Sequence, residues 1–286
     1  MPGRRELRNA AVQRLRDAGV EAPEAETDHL LSIALGNLER SRIFLVVELS
    51  DDEADAFEAL VTRRERREPV QHITGVAWFR YEMLEVGPGV FVPRPETELL
   101  AGWAIESALR VTGSESRPAV VVDLCTGSGA IARALSREAP DAVVHAVELD
   151  EGALAWAERN LAGTGVDLRQ GDLATAFDDL VGTVDVVVCN PPYIPLEAWE
   201  SVAVEARDHD PHLALFSGQD GLDAIRVLER RAAELLRPGG VVGAEHADAQ
   251  GESAPGVFAA TGRWADVTDQ RDLAGRPRYL TARLAR

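Results

Sequence analysis

The sequence has few of the features that mark secreted or membrane proteins. Its 286 residues include only two cysteines, Cys125 and Cys189, which are too few for a disulfide framework. It has no run of about 18 apolar residues, and its first residues lead into a charged helical pattern without an apolar signal core. These absences predict a cytoplasmic protein with no membrane segment.

Basic side chains are also fewer than acidic ones. The chain has 30 basic side chains, all of them arginine, against 48 acidic residues, for a formal net charge of −18. Such a charge repels phosphate backbones, so we expect no stable nucleic-acid binding. The six histidines are scattered, with no H-x-x-x-H pair and no cysteine at ligand spacing, so no metal site is predicted.

Helical patterns fill the first quarter of the chain. Leu7, Val12 and Leu15 form one apolar stripe, and Ser50 with Glu53 has the spacing of a capping box. Residues 1–72 are therefore predicted to form a helical domain, in which the charged run 63–68 is a solvated helix face. Residues 73–92 contain several glycines among aromatic and β-branched residues, which indicates a β-hairpin connector.

The remainder, residues 93–286, alternates strands with helices as a doubly wound parallel sheet requires. The helical stretches include Ala130 to Ala139 and Gly152 to Leu161, whose lengths suit right-handed crossovers. The predicted strands are Val120–Leu124, Val143–Glu148, Val166–Gln170, Val184–Cys189, Val241–Glu245, Trp264–Thr268 and Tyr279–Leu284.

A glycine-rich turn follows the first of these strands and opens a helix. Alone it also satisfies the loose pattern of NAD-binding proteins, and Glu148, about 20 residues later, could accept ribose hydroxyls in either case. Asp123 before the turn, Asp172 after the third strand and the loop after the fourth favour S-adenosylmethionine instead. The predicted cofactor-binding residues are Cys125, Thr126, Gly127, Ser128, Gly129, Glu148, Asp172, Leu173 and Asn190.

The loop after the fourth strand is Asn190-Pro191-Pro192-Tyr193. Its prolines carry no N–H and have a fixed φ, so the carbonyls of Asn190 and Pro191 can point into a pocket as unpaired acceptors. A planar NH2 group would satisfy them. The tetrapeptide therefore predicts a site where an amide or amine nitrogen is held for methylation.

Several motifs together resemble one family. They are Phe91-Val92-Pro93-Arg94-Pro95-Glu96-Thr97-Glu98, the turn Asp123-Leu124-Cys125-Thr126-Gly127-Ser128-Gly129, the N-P-P-Y-I loop and Gly218-Gln219-Asp220-Gly221-Leu222. The sequence resembles the protein-(glutamine-N5) methyltransferases of peptide chain release factors, the HemK/PrmC family. Two positions depart from the family pattern, since Cys125 stands where glycine is usual and Glu148 where aspartate is common.

The resemblance implies a class I methyltransferase fold, Rossmann-like with a seven-stranded mostly parallel sheet, behind an amino-terminal helical domain. It implies S-adenosyl-L-methionine as methyl donor and the glutamine of the release factor's Gly-Gly-Gln motif as acceptor. Asn190, Pro191 and Tyr193 are then the expected catalytic residues. Pro192, Phe91 and Arg94 complete the expected substrate contacts, and the helical domain is expected to dock the partner.

Two other functions stay open at this point. An Asn-Pro-Pro-Tyr loop also serves DNA adenine-N6 methyltransferases, which act on the exocyclic amine of a flipped base. The net charge argues against that reading. A non-catalytic S-adenosylmethionine-binding module is the third possibility, although the intact acceptor loop disfavours it.

Overall fold

The structure is a computed structural model that describes residues 3–285. Its helices are α1 Arg4–Asp17, α2 Pro23–Ala34, α3 Asp51–Glu65, α4 Val70–Thr74, α5 Thr97–Glu115, α6 Ala130–Glu138, α7 Glu151–Leu161, α8 Val204–His209, α9 His212–Leu215, α10 Asp223–Leu235 and α11 Ser253–Ala259. Its strands are β1 Val76–Phe79, β2 Glu82–Glu85, β3 Val120–Leu124, β4 Val143–Glu148, β5 Asp167–Gln170, β6 Val184–Cys189, β7 Leu236–Glu245, β8 Trp264–Arg271 and β9 Pro277–Leu284. Short 3-10 turns cover Arg40–Leu45, Asp178–Leu180, Leu196–Ser201 and Asp248–Gln250. No helix of this described part is long and apolar enough to cross a membrane.

The chain forms two compact units, of which the first combines residues 1–76 with the distant segment 203–209. Its α1, α2 and α3 bury an apolar core that includes Leu15, Leu30 and Phe57. The predicted capping box is confirmed at the start of α3, where Ser50 accepts the Glu53 N–H and Glu53 accepts the Ser50 N–H. Sequence patterns placed a boundary after residue 72 and gave no sign that α8 belongs with this unit.

Charged residues hold α8 within the helical unit. Arg64 and Arg67 both donate to the Glu205 carboxylate, at 2.9 and 2.7 Å. The Arg64 side chain is only 5% exposed and also pairs with Glu26. The prediction of a solvated helix face over residues 63–68 was therefore wrong at Arg64, which is buried against Glu26 and against Glu205 from a distant part of the chain.

The second unit contains a seven-stranded sheet of order β5-β4-β3-β6-β7-β9-β8. β5, β4, β3, β6 and β7 run parallel to one another, and β9 runs antiparallel to both β7 and β8. This confirms the predicted mostly parallel sheet. β3, β4 and β6 have the predicted bounds, whereas β7 begins five residues earlier, at Leu236, and continues through a Pro-Gly-Gly run that normally signals a turn.

Both faces of the sheet are covered, as valine-rich strands require. One face packs α5, α6, α7 and the β1–β2 hairpin around residues such as Leu100, Leu135 and Val188. The other packs α10 and α11 around residues such as Val187, Ile225 and Phe258. Burying both faces leaves the strand ends as the place where polar groups can meet.

The parallel register brings four strand ends to one edge. Leu124 of β3 is paired with Val147 of β4 and with Cys189 of β6, and Cys189 is paired with Ala244 of β7. The residues that follow these four positions are the glycine-rich turn, Glu148, Asn190 and Glu245. Ligands of open α/β sheets bind outside this carboxyl edge.

The Glu205 ion pairs predict a pH-dependent contribution to stability. Although burial raises the pKa of Glu205, hydrogen bonds from Arg67 and Arg64 outweigh it and lower that pKa to about 2. The pairs therefore stabilise the protein fully above the ordinary glutamate pKa and lose this effect as pH falls toward 2. We expect Glu205→Gln to reduce the free energy of unfolding by about 1–3 kcal/mol at pH 7.

Urea unfolding of Glu205→Gln and wild type between pH 7 and pH 2 checks this prediction. The difference should shrink as pH falls. Asp208→Asn on the same helix is the matched control, because Asp208 is exposed and its one ion pair within residues 3–285 is with its neighbour Arg207. A Glu205→Gln variant as stable as the control at pH 7 would contradict the account.

Candidate active site

The glycine-rich turn leaves β3 in an unusual backbone conformation. Cys125, Gly127 and Gly129 all have positive φ, at 62°, 58° and 82°. A residue with a Cβ costs about 1–2 kcal/mol in this region, which explains why glycine is the usual residue where this chain has Cys125. A Cβ on Gly127 would meet no atom within 4 Å, so open space lies beside the turn.

Asp123 lies buried beneath this turn. Its Oδ2 accepts hydrogen bonds from the Thr126 hydroxyl at 2.6 Å and from the Ala132 N–H at 3.2 Å. Its Oδ1 is buried and has no hydrogen-bond partner among residues 3–285. Burial raises the pKa of Asp123 to about 7, against the two hydrogen bonds, which lower it. A buried acceptor without a partner is suited to a donor or a cation from a ligand.

Glu148 ends β4 with its carboxylate held by main-chain donors. Oε2 accepts the Gly127 N–H at 2.8 Å, and Oε1 accepts the N–H groups of Leu149 and Asp150, each at 2.9 Å. Burial raises the pKa of Glu148, and these three bonds oppose the rise. The carboxylate is thereby fixed beside the glycine turn, and Oε2, which accepts a single bond, keeps capacity for a further donor.

The end of β5 lies next to Glu148. The Gly171 N–H donates to the Glu148 carbonyl at 2.9 Å, which brings Asp172 and Leu173 to the same edge. Asp172 is exposed and caps the following turn, accepting the Ala174 N–H at 2.7 Å. Leu173 is half-buried and packs on the core below. The predicted cofactor residues of three strand ends are thus gathered along one side of the site.

The Asn190–Tyr193 loop leaves the adjacent β6. Within the described chain, no donor bonds the main-chain carbonyls of Asn190 and Pro191. The end of the loop is clamped, because the Gln250 side chain donates to the Tyr193 carbonyl at 3.0 Å and the Ile194 N–H donates to Leu215 at 2.8 Å. The loop therefore presents free acceptors from a fixed backbone.

A buried chain of polar groups connects both ends of this loop. The Thr97 hydroxyl donates to Glu245 Oε2 at 2.7 Å and accepts from Asn190 Nδ2 at 3.4 Å. The Tyr193 hydroxyl donates to Glu245 Oε1 at 3.1 Å. Burial, then the Glu245 charge, raises the pKa of Tyr193, so its hydroxyl stays protonated. Burial also raises the pKa of Glu245, while bonds from Thr97 and Tyr193 lower it.

Phe91 and Arg94 form a separate pair on the segment before α5. The Arg94 guanidinium lies 5.0 Å from the Phe91 ring centroid and donates to Asp210 at 2.9 Å. Asp210 is buried, which raises its pKa to about 6, against the charge of Arg94. Both predicted substrate residues are half-buried.

Sequence reasoning missed three residues of the site. Thr97 lies within a quoted motif but was given no role, and Glu245 was identified only as a strand end. Gln250, which holds the Tyr193 carbonyl, lies in a stretch that carries no recognisable motif. Each acts through a contact with a residue that is distant in sequence.

Comparison with known proteins decides the family. The family model described as "PrmC N-terminal domain" matches residues 6–75, and the one described as "Methyltransferase domain" matches residues 121–209. A release factor glutamine methyltransferase of Streptomyces coelicolor is 58% identical over 275 residues, covering 96% of each chain. The chain belongs to the release factor glutamine methyltransferase family.

Proteins with other names are also similar to this chain, in sequence or in fold. A 4-amino-L-phenylalanine/4-methylamino-L-phenylalanine methyltransferase of Streptomyces pristinaespiralis is 41% identical, covering 91% of this chain and 88% of its own. The hMettl16 catalytic domain, solved in complex with MAT2A 3'UTR hairpin 6, has a TM-score of 0.52 at 15% identity, with 84% of each chain covered. The latter likeness concerns the fold alone, which is that of class I methyltransferases.

Release factor glutamine methyltransferases use S-adenosylmethionine, and the strand ends fit it. Asp123, Glu148 and Asp172 make this edge acidic, which suits the cationic sulfonium and ammonium groups of that cofactor. A dinucleotide fits less well. Its pyrophosphate needs N–H groups at the start of α6, and Asp123 already takes one of them, from Ala132, and adds a negative charge.

Gly221 tests how the loop is held. Its φ is 77°, and an added Cβ would lie 2.3 Å from the Tyr193 carbonyl and 2.7 Å from the Gln250 amide nitrogen. Gly182 has a similar φ of 70° and open space around it. We expect Gly221→Ala to lower the free energy of unfolding by about 1–3 kcal/mol more than Gly182→Ala, as overpacking does. If thermal unfolding experiments show equal losses of stability for the two variants, the tight packing of Gly221 against Tyr193 and Gln250 would be refuted.

Proposed function

We propose that this protein transfers the methyl group of S-adenosyl-L-methionine to the N5 amide nitrogen of the glutamine in the Gly-Gly-Gln motif of peptide chain release factors. The observation that supports this most is the pair of acceptors at the end of β6, Asn190 Oδ1 and the Pro191 carbonyl, which have no donor among residues 3–285 and lie beside an acidic cofactor edge. The names of the full-length relatives support the choice of substrate. We propose a cytoplasmic location, because release factors work in translation.

The chemistry requires positioning more than base catalysis. A carboxamide nitrogen is a poor nucleophile, because its lone pair is delocalised into the carbonyl. S-adenosylmethionine, when bound, supplies an electrophilic methyl group on a sulfonium. Cys125 to Gly129 with Glu148, Asp172 and Leu173 would hold it.

In this proposal the acceptor loop directs the nitrogen. Asn190 Oδ1 and the Pro191 carbonyl accept the two amide hydrogens, which turns the lone pair toward the methyl group. Pro192 and Tyr193, with Phe91 and Arg94, line the path of the glutamine side chain. No free base is needed, since the nitrogen becomes acidic once it is methylated and its proton can pass to water. Excluding water from this pocket strengthens each of these contacts.

Methyl transfer to purified substrates tests the proposal. The enzyme is incubated with labelled S-adenosylmethionine and a release factor, and a factor with its Gly-Gly-Gln glutamine changed to alanine is the control. Duplex DNA and 4-amino-L-phenylalanine are offered separately, the latter because of the relative that acts on it. Label on the intact factor alone is expected. Label on DNA or on the amino acid alone would overturn the proposal, and binding of S-adenosylmethionine without any transfer would favour a non-catalytic module.

Asn190→Ala should reduce kcat on the release factor about 100-fold or more, as the loss of one oriented polar contact to a reacting group does. The measurement is made at saturating S-adenosylmethionine, so that a weaker cofactor contact does not contribute. Asn9→Ala, an exposed change on α1, is the control and should keep full turnover. Near-normal turnover of Asn190→Ala would remove Asn190 from its role.

We further propose that the helical unit docks the release factor. Its segment around the 3-10 turn Arg40–Leu45 exposes three large apolar side chains, with Phe44 66%, Leu45 67% and Val47 79% exposed. Contiguous exposed apolar side chains are typical of protein-binding surfaces. The acidic balance of the chain makes an apolar contact with a protein a better fit than a contact with nucleic acid.

Steady-state kinetics with Phe44→Ser/Leu45→Ser check the docking surface. KM for the release factor should rise about fivefold or more, because apolar anchors contribute most of the energy of such contacts. The kcat should stay within about twofold, since the reacting groups are untouched. Leu273→Ser, at a position 95% exposed on the other unit, is the control. An unchanged KM would exclude this segment.

A further inference from the structure

The Asn190 carboxamide can act on a substrate amide only in one orientation. Its oxygen must face the acceptor nitrogen, because its own NH2 group would meet the N–H groups of the substrate as a second donor. Rotation of the amide by half a turn exchanges the two ends. The structure must therefore contain something that fixes which end points outward.

The sheet register supplies the neighbours that can do this. Cys189 of β6 is paired with Ala244 of β7, so the next residues, Asn190 and Glu245, lie side by side. Thr97 is the first residue of α5 and contacts both. Glu245 and Thr97 are 1% and 4% exposed, so water does not compete for their hydrogen bonds.

The direction of these hydrogen bonds follows from counting protons. The Thr97 hydroxyl has one hydrogen, and at 2.7 Å it goes to Glu245 Oε2. Its oxygen can then only accept from Asn190, so the NH2 end of the carboxamide faces Thr97. The other Glu245 oxygen accepts from the Tyr193 hydroxyl. An ionised Glu245 therefore imposes one direction on the whole chain of bonds.

With a neutral group in place of Glu245, the hydrogen bonds through Thr97 could run in either direction. Such a group could donate to Thr97, whose hydroxyl could then donate to Asn190 and attract its oxygen away from the substrate. Burial raises the pKa of Glu245 and the charge of Glu96 adds to the rise, whereas the bonds from Thr97 and Tyr193, the charge of Arg278 and the positive end of α5 favour the ionised form. The Asn190–Thr97 contact, at 3.4 Å, is the longest of these bonds, so it is the first to be lost when its partner changes.

We propose that Glu245 and Thr97 are positioning residues for methyl transfer, which hold the Asn190 carboxamide with its oxygen toward the acceptor nitrogen. Glu245 holds the Tyr193 hydroxyl in the same arrangement. This inference rests on the proposed function, because it takes an amide or amine nitrogen as the acceptor. It assigns a role in that reaction to two residues that do not themselves touch the substrate.

The kinetic test uses variants that differ by one hydroxyl. Thr97→Val keeps the shape of the side chain and removes the bond, whereas Thr97→Ser keeps the hydroxyl. We expect Thr97→Val and Glu245→Gln each to lower kcat about tenfold or more, with KM for the release factor within about threefold. Thr97→Ser should keep kcat within about threefold. A Thr97→Val variant as fast as Thr97→Ser would overturn the proposal.

The double variant separates positioning from general damage. Thr97 and Glu245 act through one chain of bonds, so Thr97→Val/Glu245→Gln should be about as slow as the slower single variant. Independent losses that multiply would overturn a shared role. Thermal unfolding of every variant is measured, and Thr97→Ser with Glu245→Gln still tests the proposal if Thr97→Val fails to fold.

A spectroscopic test does not depend on the reaction. Selective 15N labelling of asparagine gives few side-chain NH2 signals, because the chain has only Asn9, Asn37, Asn160 and Asn190. The Asn190 signal, identified by its loss in Asn190→Asp, should shift in Thr97→Val and Glu245→Gln and stay in Thr97→Ser. That pattern in a protein that does not methylate release factors would refute the proposed substrate while supporting the hydrogen-bond chain. An Asn190 signal unaffected by Thr97→Val would refute the chain itself.

Discussion

The parallel register of β4, β3, β6 and β7 is the constraint on which the site depends. It aligns four strand ends at one edge, and each end contributes one polar element to the site. Both faces of these strands are buried under helices, so that edge is where the sheet can meet a ligand. In the proposed function, the cofactor residues lie at the ends of β3, β4 and β5, and the acceptor loop and Glu245 lie at the ends of β6 and β7. With these roles, the order of the strands would set methyl donor and acceptor next to each other.

Buried carboxyl groups make this edge of the sheet acidic. Asp123, Glu148 and Glu245 are each at most 9% exposed, and each is held by hydroxyl or main-chain N–H donors. Burying three acids costs free energy that donors only partly offset. In the proposed function, a cationic cofactor would turn that cost at Asp123 and Glu148 into binding, whereas Glu245 would act on the acceptor side. The same chemical group thus serves two purposes, according to which strand carries it.

Much of this architecture was predictable because valine-rich runs, glycines and prolines act locally. β3, β4 and β6 were placed to the residue, and the acceptor loop followed from the two prolines. The first half of β7 was not predicted, because its Pro-Gly-Gly run locally favours a turn. Pairing with β6 makes it part of a strand instead. Glu205 pairing with Arg64 spans 141 residues, and Thr97 with Glu245 spans 148. No local pattern encodes such partners, because the fold alone brings them together.

In the proposed function, this edge methylates the side-chain nitrogen of a release factor glutamine. Tandem mass spectrometry of a release factor, incubated with the enzyme and S-adenosylmethionine, tests it most directly by locating the added methyl group. We expect the methyl on the side chain of the Gly-Gly-Gln glutamine and nowhere else in the factor. A methyl on another residue, or an unmodified factor while another amine is methylated, would contradict it.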